Sequence, residues 1–253
     1  MKKSVVKKLL IALAIVAIIA FSALIIRNYT TKTSFKYGNG EVENLAHQAQ
    51  DAVSGAVVGE AQNNKTEIDK TILEISPSEF VLGDKSAPVT IVEYASLSCP
   101  HCASFYRDAF ESLKKDYIET GKVKFVYRDF PLNQPALAAA MVAVCRVSGE
   151  EENKAEIYHN FVKALFKTQD SWAFDPQYID KLEAIAMLDG MAQETFKKCL
   201  ENKKLQEKIL VARMSSSKSL SINSTPTFFI NGEAFEGFVD YKTIKKAIDE
   251  KLK

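Results

Sequence analysis

Two cysteines three positions apart, Cys99 and Cys102, follow directly on Val89-Thr-Ile-Val-Glu-Tyr-Ala95, a run rich in β-branched residues that reads as a buried strand. The pair stands in Ser98-Cys99-Pro100-His101-Cys102, and from Cys99 to about Tyr117 the apolar residues Phe105, Phe110, Leu113 and Tyr117 fall on one face of a helix. Pro100 occupies the first turn, where its missing N–H has no partner to lose. A strand that feeds a helix opening on Cys-x-x-Cys narrows the fold to a sheet whose edge presents sulfur at a helix tip.

That position has a chemical consequence. The first thiol lies among unpaired backbone N–H groups and at the positive end of the helix dipole, both of which stabilise a thiolate. His101 can add a donor or a positive charge. Such settings lower a cysteine pKa from about 8.5 into a range of about 3.5–7.5. With a value near 5, the reduced form would gain about 2.7 kcal/mol at pH 7, which raises the reduction potential by roughly 60 mV. The disulfide then becomes the state that is readily given away. The competing reading of Cys-x-x-Cys is half a structural zinc site. Cys145 and Cys199 are isolated in helical stretches, and His47 and His159 have no Cys or His neighbour, so a metal is not expected.

The N-terminus is a separate object. Lys2, Lys3, Lys7 and Lys8 precede an uncharged run of 18 residues, Leu9 to Ile26, closed by Arg27. As a helix that run spans roughly 27 Å. It suits a membrane-spanning anchor, and no clean cleavage site follows beyond Ala20-Phe21-Ser22; a cleaved signal peptide is the alternative. Either way the lysines stay in the cytoplasm and the rest is exported, so the expected location is periplasmic, tethered to the inner membrane. The remainder carries 29 basic and 32 acidic residues, which speaks against nucleic acid as a partner. Export also places the chain where disulfides persist. Residues 28–78 are polar and read as a tether. Val42, Leu45, Ala49, Ala52 and Ala56 keep a 3-4 spacing, but two alanine-rich heptads fall short of a stable coil.

Beyond the first helix, Gly121 breaks the pattern and Val123–Tyr127 reads as the next strand. Residues 135–148, 154–168, 176–188 and 191–213 read as helices, the third opened by Asp175-Pro176. Thr227–Ile230, the turn Asn231-Gly232 and Glu233–Glu236 form a hairpin, followed by a helix from about Tyr241 to Leu252. The order β, β, α, β, helical block, β, β, α implies an α/β sheet domain with an inserted helical domain. Trp172, with Phe166 and Phe174, is expected in the core of the helical part.

Cys99-Pro-His-Cys102 after Val-Glu-Tyr, then Lys124-Phe-Val-Tyr-Arg-Asp-Phe-Pro131, then Thr225-Pro-Thr-Phe-Phe-Ile-Asn-Gly232, resemble the DsbA-type thiol-disulfide oxidoreductases over roughly residues 79–253. The resemblance implies a thioredoxin fold (79–132 and 221–253) interrupted by a helical insertion (133–220), behind a signal or anchor segment at 1–27. It implies Cys99 as the attacking thiol, Cys102 as the resolving one, and Pro226 as a cis-proline that aims the Thr225 backbone at the disulfide. Strong oxidants of the family often carry valine before this proline; threonine resembles the isomerase and reductase branches, so the direction of electron flow stays open. Glu93, a lone acid in an apolar strand, would be expensive to bury ionised and should hold its proton. It matches the acid beneath the disulfide in the family and would take the proton of Cys102; a solvent-facing strand residue is the alternative. Cys145 and Cys199 are either free core cysteines or, as in some relatives, a structural disulfide. The expected function is an exchanger without cofactor that forms disulfides in reduced exported proteins and is reoxidised by a DsbB-like membrane protein. A disulfide isomerase or reductase of the same fold is the second reading, and a non-catalytic thioredoxin-fold binding module the third. The intact set of Cys99, His101, Cys102 and Pro226 favours the enzyme, because a binding module needs neither thiol.

Overall fold

Strand Val89–Ala95 (β2) forms the axis of the sheet, every residue but Thr90 withdrawn from solvent. The computed structural model describes residues 70–149, 152–237 and 239–253; the expected anchor, the 42–56 stretch and the tether up to residue 69 lie outside them. Among the described residues no helix is long and apolar enough to cross a membrane. On one side β2 pairs in parallel with Val123–Asp129 (β3), and on the other it pairs antiparallel with Thr227–Ile230 (β4). The short strand Val81–Leu82 (β1) closes one edge against β3, and Glu233–Glu236 (β5) closes the other against β4, in the order β1-β3-β2-β4-β5. The parallel β2–β3 pair needs a crossover, which the first helices supply.

The helices are Pro100–Asp108 (α1), Phe110–Leu113 (α2), Gln134–Arg146 (α3), Lys154–Lys167 (α4), Tyr178–Leu188 (α5), Gln193–Leu200 (α6), Lys203–Leu220 (α7) and Tyr241–Lys251 (α8). Helices α3 to α7 all lie between β3 and β4 in the chain, so this is a thioredoxin-like α/β fold with an inserted helical part. Local sequence explains the starts. Asn133, Asn202 and Asp240 accept hydrogen bonds from the backbone N–H groups of Ala136, Leu205 and Thr243, at 3.0, 3.0 and 2.8 Å. At the hairpin, Asn231 and Gly232 have φ of 46° and 82°, the pair of left-handed residues that a two-residue turn requires. Gly83 has φ 94°, and a Cβ there would lie 2.7 Å from the Val123 carbonyl oxygen, so no side chain fits between β1 and β3.

Several expectations need correction. The helix after Cys99 is not continuous: it breaks at Ala109 (φ −126°) and ends in a wider π-type turn, Lys114–Ile118, which carries both Tyr117 and Ile118 inward. The helix expected over 191–213 is two, because Asn202 caps a new start and the second runs on to Leu220. Asp175 does not cap a helix; its Oδ1 accepts from Gln177 N at 2.7 Å in a turn, and α5 begins at Tyr178. Residues 70–78, read as tether, pack on the sheet: Ile72, Leu73 and Ile75 cover the face of Val92, Tyr94, Val126 and Phe229. Arg128 secures them through the carbonyls of Ile72 and Glu74 (2.6 and 2.9 Å) and an ion pair with Glu79 at 2.6 Å. Its role as a clasp is invisible in the sequence, since two of its partners are backbone carbonyls about 55 residues earlier and Glu79 lies 49 residues away.

The opposite face of the sheet holds the main core. Phe105, Tyr106, Phe110, Phe125, Phe161, Phe166 and Phe228 are all fully buried there, each contributing about 1.5–3 kcal/mol. Trp172 is buried in the helical part and donates to the Leu165 carbonyl at 3.1 Å, whereas Phe174, two residues on, is 63% exposed. Cys145 of α3 and Cys199 of α6 are joined as a disulfide across a sequence separation of 54 residues. Closing a loop of that length restricts the unfolded chain by up to about 4 kcal/mol. Replacing both, Cys145→Ala with Cys199→Ala, should lower the unfolding free energy by about 2–4 kcal/mol in urea titrations. Disulfide exchange at Cys99 should survive the same change.

Candidate active site

The active loop begins where β2 runs out of partners. Past Ala95 the chain turns on Ser96, whose carbonyl accepts from Cys99 N at 2.9 Å and whose hydroxyl accepts from Leu132 N at 3.3 Å. Cys99 is the N-cap residue of α1, extended at φ −84° and ψ 120°, with Pro100 in the first turn. Its side chain makes no cap bond, so the first N–H groups of the helix remain available to the sulfur. Cys99 is 7% exposed and Cys102, one turn deeper, is 0% exposed; both are free thiols.

The two sulfurs experience opposite environments. The Cys99 pKa is lowered to about 5, first by a hydrogen bond from the Cys102 thiol, then by Thr225 and by the backbone N–H groups of Cys102 and His101, against the opposing effect of burial. The Thr225 hydroxyl is buried and has no other hydrogen-bond partner, so it is free to donate to a sulfur anion. In the thiol form the Cys99 S–H itself donates to the Thr225 carbonyl at 3.3 Å. Cys102 moves the other way: burial, then its bond to Cys99 and the nearby Glu93, push its thiol well above the ordinary range. One sulfur is an anion at neutral pH while its neighbour keeps the proton that stabilises it.

Glu93 lies on β2 beneath this pair and is fully buried. Burial drives its carboxyl well above the usual carboxylate range, partly offset by a hydrogen bond from the Tyr106 hydroxyl to Oε2 at 3.1 Å. Its Oε1 is buried with no partner, the arrangement of an acid that keeps its proton. The solvent-facing alternative for Glu93 is therefore excluded. The Thr225–Pro226 peptide is cis, and the Thr225 carbonyl is in contact with Cys99. His101 differs from expectation: its imidazole is exposed, and what reaches the sulfur is its backbone N–H. Cys145 and Cys199 lie apart from this group, on α3 and α6.

Two participants escape a reading of the sequence. Tyr106 follows Cys102 by four residues and so shares its helix face, a spacing that could have revealed it. Gln169, in the short 3-10 turn Gln169–Ser171 after α4, sends its amide to the carbonyls of Leu97 and Cys99 at 2.7 and 3.0 Å. Seventy residues separate it from the loop it holds, and no local pattern marks it. Two clefts, of about 410 and 510 Å³, open on the far face of the sheet and beside the β1 edge, and neither is lined by Cys99 or Cys102. Among the described residues no group of three His, Cys, Asp or Glu side chains is placed to hold a metal.

The thioredoxin family matches residues 76–250. The chain is 35% identical to α-DsbA1 of Wolbachia pipientis, whose crystal structure superposes with a TM-score of 0.66 over 72% of this chain and 94% of that one. A Rickettsia typhi protein provisionally named a protein-disulfide oxidoreductase is 34% identical over 76% of this chain and 68% of its own length. Oxidised BdbD of Bacillus subtilis is 26% identical, with a TM-score of 0.61 over 69% of this chain and 92% of that one.

The low pKa of Cys99 makes stability depend on redox state and pH. A thiolate held below its unfolded pKa of about 8.5 stabilises the reduced protein fully above that value, and the gain is lost as pH falls through about 5. The excess unfolding free energy of reduced over oxidised protein should therefore shrink by up to about 2 kcal/mol between pH 7 and pH 5, less where solvent screens the sulfur. Denaturant titrations of the two forms across that window measure it; a pH-independent difference would contradict the assigned thiolate.

Proposed function

We propose that this chain, which belongs to the DsbA-like thiol-disulfide oxidoreductases of the thioredoxin fold, forms disulfides in exported proteins through Cys99 and Cys102. It is a protein thiol-disulfide oxidoreductase, and the reading of direction rests on one observation, the Cys99 sulfur held as an anion beside a protonated Cys102. In the oxidised enzyme a client thiolate attacks Cys99 Sγ. The client–Cys99 bond forms, the Cys99–Cys102 bond breaks, and the electron pair leaves on Cys102. Cys102 holds its proton tightly, so the departing thiolate takes one up from the buried acid Glu93, which takes it back whenever Cys102 attacks and releases a mixed disulfide. The client's second thiolate then attacks its own sulfur in the mixed disulfide. Cys99 leaves as a thiolate, and a low pKa makes it a fast leaving group. The client gains one disulfide and the enzyme two reduced sulfurs.

Thr225 supports a role at both stages. Its carbonyl faces the reactive sulfur and is open to pair with an extended client backbone, while its hydroxyl steadies the anion. An exported location is supported by the charged and apolar order of residues 1–26, and reoxidation then falls to a membrane protein of DsbB type. Formation of disulfides, as opposed to their reduction, is supported by the size of the thiolate effect, up to roughly 60 mV toward a more oxidising pair. Starting from the reduced enzyme, Cys99 attacks a client disulfide; resolution of the mixed disulfide by Cys102 reduces the client, whereas resolution by another client thiolate isomerises it and returns Cys99 as a thiolate.

Oxidised enzyme mixed with an equimolar, reduced, unfolded client carrying two cysteines should yield one client disulfide per enzyme pair reduced, followed by thiol alkylation and mass analysis. Cys99→Ser should abolish the transfer. A client that stays reduced while Cys99–Cys102 stays oxidised would refute the reading.

A further inference from the structure

Gln169 is 2% exposed, yet it belongs to the helical part between β3 and β4 and not to the sheet that carries the cysteines. Its Nε2 is 2.7 Å from the Leu97 carbonyl and 3.0 Å from the Cys99 carbonyl. Both partners are pure acceptors, so only the NH₂ end of the amide fits, and each of its two N–H bonds is used. The Cys99 carbonyl already accepts the first bond of α1, from Ala103 N at 3.1 Å; Gln169 fills its second lone pair.

One of these carbonyls belongs to the reactive cysteine itself and the other to Leu97, two residues before it. A buried carbonyl oxygen with no donor opposes negative charge in its surroundings, and an unheld Leu97 peptide would leave the loop that leads into α1 free to shift. We propose that Gln169 is a positioning residue of the redox pair: its amide neutralises and locks the Leu97 and Cys99 carbonyls, fixing the loop that carries the Cys99 sulfur and drawing both oxygen dipoles toward the helical part. The helical part is thereby a component of the sulfur's electrostatics as well as a cover over it. The other groups acting on that sulfur are Cys102, Thr225 and the backbone of His101. The Cys99 carbonyl keeps its bond from Ala103 N without Gln169, so it is the Leu97 carbonyl that depends most on the glutamine.

The inference rests on Cys99 being the reactive thiolate, and the two can fail separately. Loss of exchange in Cys99→Ser tests the sulfur; Gln169 variants test only its tuning, since they retain both cysteines. Gln169→Leu keeps the volume and removes both donors. It should raise the midpoint of Cys99 thiolate absorbance by about 0.5–1 pH unit and shift the glutathione equilibrium about 3- to 10-fold toward the disulfide. Gln169→Glu should move both in the same direction, because a carboxylic acid can offer at most one donor there. A merely structural peg predicts lower thermal stability with midpoint and equilibrium unchanged, and that result in either folded variant overturns the proposal. Should neither variant fold, the side-chain amide proton resonances of Gln169 in the reduced wild type decide: they should shift with the midpoint of Cys99, and amide resonances indifferent to that titration overturn it.

Discussion

A sulfur anion at the start of α1 is stable only because donors converge on it: the Cys102 thiol, the Thr225 hydroxyl and the first N–H groups of the helix. The rest of the structure serves this convergence. β2 delivers the chain to the spot and ends there; Pro100 opens the helix without consuming a donor; Cys99 offers no side-chain cap that would compete for those N–H groups. Thr225 arrives from the far side of the helical part, 126 residues after Cys99 and just before β4, the strand next to β2.

The difference between the two cysteines is one of depth. Cys99 stands at the outer end of the turn, where hydrogen-bond donors favour charge against the cost of burial. Cys102 is one turn inward, over Glu93 and against the aromatic core of Phe105, Tyr106 and Phe110, where charge is penalised. A single helical turn therefore separates a thiol whose pKa is lowered from one whose pKa is raised. Glu93 and its Tyr106 partner lie below the pair, on the face of the sheet that holds the main core.

Much of this was readable from local pattern. The strand–Cys-x-x-Cys–helix order, the Asn231-Gly232 hairpin and the amphipathic last helix depend on neighbours in sequence, and each is found where its residues predict. What could not be read depends on distant partners. Arg128 clasps carbonyls of residues 72 and 74, Gln169 holds carbonyls of residues 97 and 99, and Phe174 is exposed because the chain turns at Asp175 before α5 begins. His101 misled for a different reason: its type suggested a charged side chain, whereas geometry at a helix start lends only its backbone. Ala109, where α1 breaks, carries no sequence mark of a break at all.

Donors around Cys99 make its disulfide easy to surrender, and the equilibrium of the Cys99–Cys102 pair in glutathione buffers at pH 7, read by tryptic mass analysis after alkylation, tests this. The pair should be clearly more oxidising than thioredoxin's, whose potential is about −270 mV, and shifted toward the about −120 mV of DsbA. A potential at or below the thioredoxin value would contradict it, because a sulfur so comfortable as an anion cannot also hold its partner so firmly.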